Sequence, residues 1–199
     1  MRTTKIDAIN EALTLVGINE VASLEDPVRQ DVIQAEETLD QVLKHIATLN
    51  SYYNRYAEVE FTPDSDGFIY VPDDVYDIEY IKSPRIQVVI KGNKLWNLTD
   101  KTFVWDIGST YKFSVTYYLE FSDLPEQVMR YVIMATARRL YLKLFGVTSQ
   151  LQALTLEEKM AWDIWQKWEQ DSMDANLLMH PDVFRIWDSP RRAGRNFRR

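Results

Sequence analysis

The chain has 199 residues, no cysteine, 46% hydrophobic and 27% charged residues, and a formal net charge of −7. That length and balance describe one sizeable globular domain, or a domain with a substantial insertion. The missing cysteine excludes disulfides, thiolate zinc sites and cysteine nucleophiles, and no run approaches the ~18 apolar residues of a membrane span.

The charge is unevenly spread. Asp188 to Arg199 carries five arginines against one aspartate, a net +4 that leaves −11 on the rest of the chain. Six tryptophans and eleven tyrosines suit a large core or surfaces buried against neighbours. The opening Met1-Arg2-Thr3-Thr4-Lys5-Ile6-Asp7 runs straight into an amphipathic pattern, so neither a signal peptide nor a membrane partner is expected.

A first helix is predicted from Thr4 to Gly17, a natural C-cap, with Ile6, Ile9, Leu13 and Val16 on one face. After Ser23-Leu24-Glu25, the pair Asp26-Pro27 predicts an N-cap and a first-turn proline. Val28, Val32, Ala35, Leu39, Val42 and Ile46 form the apolar stripe of that second helix.

Near Asn50 the period changes from helical to alternating. Strands are predicted at Val59 and Phe61, Phe68 to Val71, Val75 to Ile81, Ile86 to Ile90, Phe103 and Trp105, and Tyr111 to Leu119. Turn signals lie between them at Pro63 to Gly67, Lys91-Gly92-Asn93 and Ile107-Gly108-Ser109. The expected arrangement is antiparallel, a meander or small barrel; no βαβ alternation supports a nucleotide-binding sheet.

Helix returns at Asp123-Leu124-Pro125-Glu126. Val128, Tyr131, Val132, Ala135, Leu142 and Phe145 are its expected buried face, and Gly146 its stop. A fourth helix, from Ser149 or Thr155, carries Leu156, Met160, Ile164 and Trp168. The expected fold class is therefore α+β: a four-helix bundle with an inserted antiparallel β module and an extended basic C-terminal tail. The divisions are a helical pair over 1–50, the β-rich insertion over 51–122, a second helical pair over 123–180 and a docking arm over 181–199.

Candidate chemistry is sparse. His45 and His180 have no second ligand at metal spacing, and neither a catalytic triad nor an HExxH site is present. Asp64-Ser65-Asp66-Gly67 lacks the alternating ligands and late glutamate of a calcium loop and reads as a hairpin turn. Asp73, Asp74, Asp77 and Glu79 alternate with Val75, Ile78 and Tyr80 as an exposed strand face does. No catalytic residue, cofactor or metal is assigned. Trp162, Trp165 and Trp168, at three-residue steps, make a core seam or a subunit interface. Arg191, Arg192, Arg195, Arg198 and Arg199 suit a solubilising terminus, an acidic protein surface or nucleic-acid phosphates.

Several elements, taken in order, resemble the tail tubular protein A family, the head-to-tail adaptors of short-tailed phages. They are Ala8-Ile9-Asn10 with Leu13 and Gly17, Ser23-Leu24-Glu25, Tyr52-Tyr53-Asn54 and Val71-Pro72-Asp73-Asp74. Phe121-Ser122-Asp123-Leu124-Pro125-Glu126, Ala137-Arg138-Arg139 and Glu157-Glu158 complete the series. The family's usual Gly-Trp before the asparagine is a tyrosine pair here, and its glycine-tyrosine-aspartate hairpin is Lys94-Leu95-Trp96-Asn97.

The resemblance implies a non-enzymatic virion protein: a dodecameric homo-oligomer between the portal protein and the tail nozzle protein, at the head-tail junction. Genomic DNA would pass through its lumen without specific binding, and assembly would take place in the host cytoplasm. The arginine cluster would dock on the portal. Two other functions stand beside this one: a nucleic-acid-binding accessory protein acting through the basic tail, and a carbohydrate-degrading tail component using Asp73 and Asp77.

Overall fold

The computed structural model describes residues 3–24, 29–82 and 86–178. It is a mixed α/β structure of four helices and two small antiparallel sheets among those residues.

Helix α1 spans Lys5–Val16. Its start is a reciprocal cap: the Thr4 hydroxyl accepts the Asp7 N–H while the Asp7 carboxylate accepts the Thr4 N–H at 2.9 Å. Gly17 ends it at φ 85°, where a side chain would be strained. Ala8, Ile9, Ala12, Leu13 and Val16 are buried, one stripe at three- and four-residue steps. Helix α2, Gln30–Ala47, begins later than the sequence suggested, with Arg29 at the N-cap; Asp26-Pro27 and Val28 lie outside the described residues. Its stripe of Val32, Ala35, Leu39, Val42 and Ile46 is buried as expected.

Five strands follow: β1 Arg55–Phe61, β2 Val75–Tyr80, β3 Val88–Lys91, β4 Lys94–Asn97 and β5 Tyr111–Tyr117. The larger sheet has the order β1-β5-β2, so the last strand inserts between the first two. That corrects the expected meander. Both edges of β5 are paired, and Phe113, Ser114, Val115 and Thr116 are buried in succession along this central strand. Among the described residues, the segments at Phe68–Val71 and Phe103–Trp105 join through isolated bridges, Phe68 to Val104 and Tyr70 to Lys94, and a further bridge joins Asn97 to Thr102. The β3-β4 hairpin turns at Gly92-Asn93. A second core gathers Ile69, Val71, Ile78, Leu95, Trp105 and Phe113 inside this module.

The Asp64–Gly67 run is a turn. The Asp64 Oδ1 accepts the N–H groups of Asp66 at 2.9 Å and Phe68 at 2.8 Å. Gly67 sits at φ 82°, and a Cβ there would lie 2.8 Å from Val104 Cγ1 and 3.1 Å from the Trp105 carbonyl oxygen. Only glycine lets the two segments approach so closely.

Helix α3, Glu126–Phe145, packs against α1, α2 and α4. It is buried nearly all round from Val128 to Leu140 because neighbours enclose it on three sides. Its last turn is covered on one side only, where Leu144 packs against the core and Lys143 donates to the Thr38 hydroxyl of α2 at 2.8 Å. Leu142 and Phe145, expected inside, are 42% and 53% exposed. Helix α4, Ser149–Leu178, presents Leu154, Ala161 and Trp165 to the core. Of the residues expected along it, Leu156, Met160 and Ile164 point outward, at 61%, 57% and 58% exposure, while Trp168 packs half-buried against the core. Two apolar stripes run along α4, and α3 covers only one.

Candidate functional site

The helical part and the β module meet at Ser51-Tyr52-Tyr53-Asn54. The Glu169 carboxylate on α4 accepts the Tyr52 N–H at 3.0 Å and the Ser51 hydroxyl at 3.4 Å. Tyr52 lies 5.6 Å from Trp168, and Tyr53 lies 6.3 Å from Trp165, measured between ring centroids. Burial, with the Glu169 charge adding to it, pushes the Tyr53 phenol well above its ordinary range. Asn54 is 2% exposed and exchanges bonds with Tyr117: its Nδ2 donates to the Tyr117 carbonyl at 3.1 Å, and its own carbonyl accepts the Tyr117 N–H at 2.8 Å. Asn50, at φ 50°, turns the chain here, and its Oδ1 accepts the Thr116 hydroxyl at 2.8 Å. The joint is a built polar-aromatic seam.

Other residues singled out in the sequence serve the same purpose. Asn10 accepts the Val21 N–H at 2.8 Å and donates to the Val21 carbonyl at 2.9 Å, holding the connection after α1. The Asp74 carbonyl accepts the Tyr118 N–H at 2.7 Å. Arg138 on α3 pairs with Glu158 on α4 through two guanidinium nitrogens, the second at 3.4 Å. Arg138 therefore belongs to the packing of α3 against α4. Such contacts were invisible in the sequence because partners lie 11 to 118 positions apart.

The tryptophan triplet turns toward the chain's own interior. Trp165 is 0% exposed, 5.2 Å from Tyr131 and 4.9 Å from Trp162; Trp162 and Trp168 are half-buried against the same core. His45 is exposed on α2. His180 and the five tail arginines lie outside the described residues. Asp73, Asp74 and Asp77 are exposed, and Glu79 pairs with Arg55 at 3.0 Å across the sheet. Among the described residues no three acidic or histidine side chains are grouped to hold a metal, and no helix is long and apolar enough to cross a membrane. A cleft of about 480 Å³ beside Thr4, Asp40 and Tyr118 has its Lys5 engaged by Glu36 at 2.9 Å and Asp40 at 3.0 Å.

The outer surface is where chemistry stays uncommitted. One face of the small sheet carries Lys91, Lys94 and Trp96, with Tyr70 bridged to Lys94 and Phe103 4.5 Å from Trp96. The Lys91 ammonium rests 4.0 Å above the Trp96 ring, and that of Lys94 rests 3.8 Å above Phe68.

Polar residues thus lock the elements together, and apolar faces are left on the outside. The sequence profile of the tail tubular proteins matches residues 6–174. The chain belongs to the tail tubular protein family and is by that membership a structural component of a phage tail, carried in the virion and assembled with other subunits. No curated relative matches it.

Proposed function

We propose that this tail tubular protein is a ring-forming, non-enzymatic adaptor at the head-tail junction, its four helices acting as one bundle and its β module as an inserted arm. The ring is a dodecamer that joins the portal protein to the tail nozzle protein and leaves a channel for genome ejection. The observation that carries this reading is the pair of unmatched outer faces. A closed core leaves Leu156, Met160 and Ile164 on α4 and a lysine-aromatic face on the small sheet exposed on one chain. A head-to-tail ring needs two different patches on each subunit, whereas a twofold dimer needs one self-matching patch.

The acidic body suits a lumen that repels DNA phosphates, so that the duplex slides through. Arg191, Arg192, Arg195, Arg198 and Arg199 form the portal-docking arm in this reading, with guanidinium groups matched to carboxylates. The half-exposed edges of Trp162 and Trp168 are the part of the tryptophan triplet left for a neighbouring subunit, since Trp165 is enclosed. Assembly takes place in the host cytoplasm. Light scattering of the protein alone and mixed with portal tests the reading. A ring in either sample supports it; a monomer that ignores the portal overturns it.

A further inference from the structure

The lysine-aromatic face is unusual for an acidic chain. Lys91 and Lys94 are direct cross-strand partners, and like charges placed opposite one another destabilise a hairpin. Neither forms an ion pair among the described residues; each lies on an aromatic ring instead. Phe68, Tyr70, Trp96 and Phe103 share the surface, with Tyr70 47% exposed. Half-exposed aromatics beside unpaired cations fit a partner that brings carboxylates around an apolar centre.

The outer face of α4 has that chemistry. Leu156, Met160 and Ile164 form its ridge at four-residue steps. Glu157, Asp163 and Asp171 flank the ridge against Lys159 and Lys167, all five exposed, so the face is aliphatic with a net charge of −1. The lysine-aromatic face repels a second copy of itself and matches the carboxylates of the other. That combination disfavours a twofold dimer and favours a head-to-tail contact.

We infer that the lysine-aromatic face of one subunit seats on the outer face of α4 in the next copy, with Lys91 and Lys94 meeting the carboxylates beside the Leu156-Met160-Ile164 ridge. This rests on the ring reading above and names its contact. Single-stranded nucleic acid would also suit lysines and aromatics. The α4 ridge decides between them, because it supplies the missing carboxylates and is itself uncovered.

The absence of native cysteine allows a clean test. Lys91→Cys protein and Met160→Cys protein, both altered at exposed positions, are mixed and treated with a short bis-maleimide; each is also treated alone. The expected result is a cross-linked dimer in the mixture and not in either protein alone. In parallel, Lys91→Glu/Lys94→Glu should raise the concentration needed for assembly about tenfold or more, and adding Glu157→Lys/Asp163→Lys should restore it.

Rings seen by light scattering without the mixed cross-link overturn this contact and leave the ring standing. A monomer under all conditions, with no cross-link, overturns both. Cross-linking of Met160→Cys protein with itself shows α4 pairing with α4 and overturns the contact. Capture of a single-stranded oligonucleotide that is lost in Lys91→Glu/Lys94→Glu, with assembly unchanged, reassigns the face to nucleic acid.

Discussion

The Glu169 carboxylate on α4 accepts the backbone N–H of Tyr52 at 3.0 Å, across 117 positions of sequence. This bond ties the last long helix to the point where the chain leaves the helical part for the β module. Glu169→Ala removes the acceptor for Tyr52 and for Ser51 and should cost about 1.5–3 kcal/mol, the range for hydrogen bonds to a charged group. Glu169→Gln keeps an acceptor and should cost less. Urea denaturation of both variants checks the order, and equal stability to the unaltered protein would remove Glu169 from the joint.

The Arg138–Glu158 pair is only partly sheltered, with side-chain exposures of 25% and 14%. Arg138→Leu leaves Glu158 unpaired against α3 and should destabilise by about 2 kcal/mol, between the values for exposed and fully buried pairs. Arg138→Leu/Glu158→Leu should recover most of that loss, because two apolar side chains need no partner. A double-mutant cycle by chemical denaturation measures the coupling; additive losses would contradict it.

The two stripes of α4 should separate stability from assembly. Trp165→Ala empties a fully enclosed site and should cost about 3–5 kcal/mol. Trp165→Phe should cost much less than that, since the Trp165 Nε1 has no hydrogen-bond partner to lose. Leu156→Ala and Ile164→Ala lie outside and should change folding stability by no more than about 0.5 kcal/mol, while weakening subunit association. Melting curves read beside light scattering distinguish these effects, and a large loss of monomer stability in Leu156→Ala would contradict the exposed assignment.

Acid should loosen α1 through its cap. The hydrogen bond from the Thr4 hydroxyl, and after it the one from the Thr4 backbone, hold the Asp7 carboxyl below its ordinary value of 3.8. A depressed folded value means that the stabilisation is present above the ordinary value and is lost as pH falls through the folded one. Asp7→Asn should therefore melt below the unaltered protein near neutral pH, with the gap closing below about pH 3.8. Thermal melts across that range check the sign, and a gap that persists at low pH would exclude the carboxylate as its source.

The helices were legible because each carries local signals. Thr4 marks one start, Gly17 and Gly146 mark two stops, and Pro125-Glu126 marks another start. The β module was legible as to kind but not order. Alternation tells that Tyr111–Tyr117 is a strand; it does not tell that β1 and β2 flank it, because alternation says which side chains share a face and not which edges pair. The motif Tyr52-Tyr53-Asn54 stood out in the sequence, whereas its partner Glu169 did not, being one acid among 30 Asp and Glu residues.

By itself, the sequence determined the four helices, the existence of an antiparallel module, the absence of cysteine chemistry and the acidic body with its arginine-rich end. Those features follow from local periodicity, capping and composition. Only the tertiary structure decided which of two apolar stripes on α4 meets the core. Both have helical spacing, and the choice falls to α3, which covers the side bearing Leu154, Ala161 and Trp165 and leaves Leu156, Met160 and Ile164 for another surface.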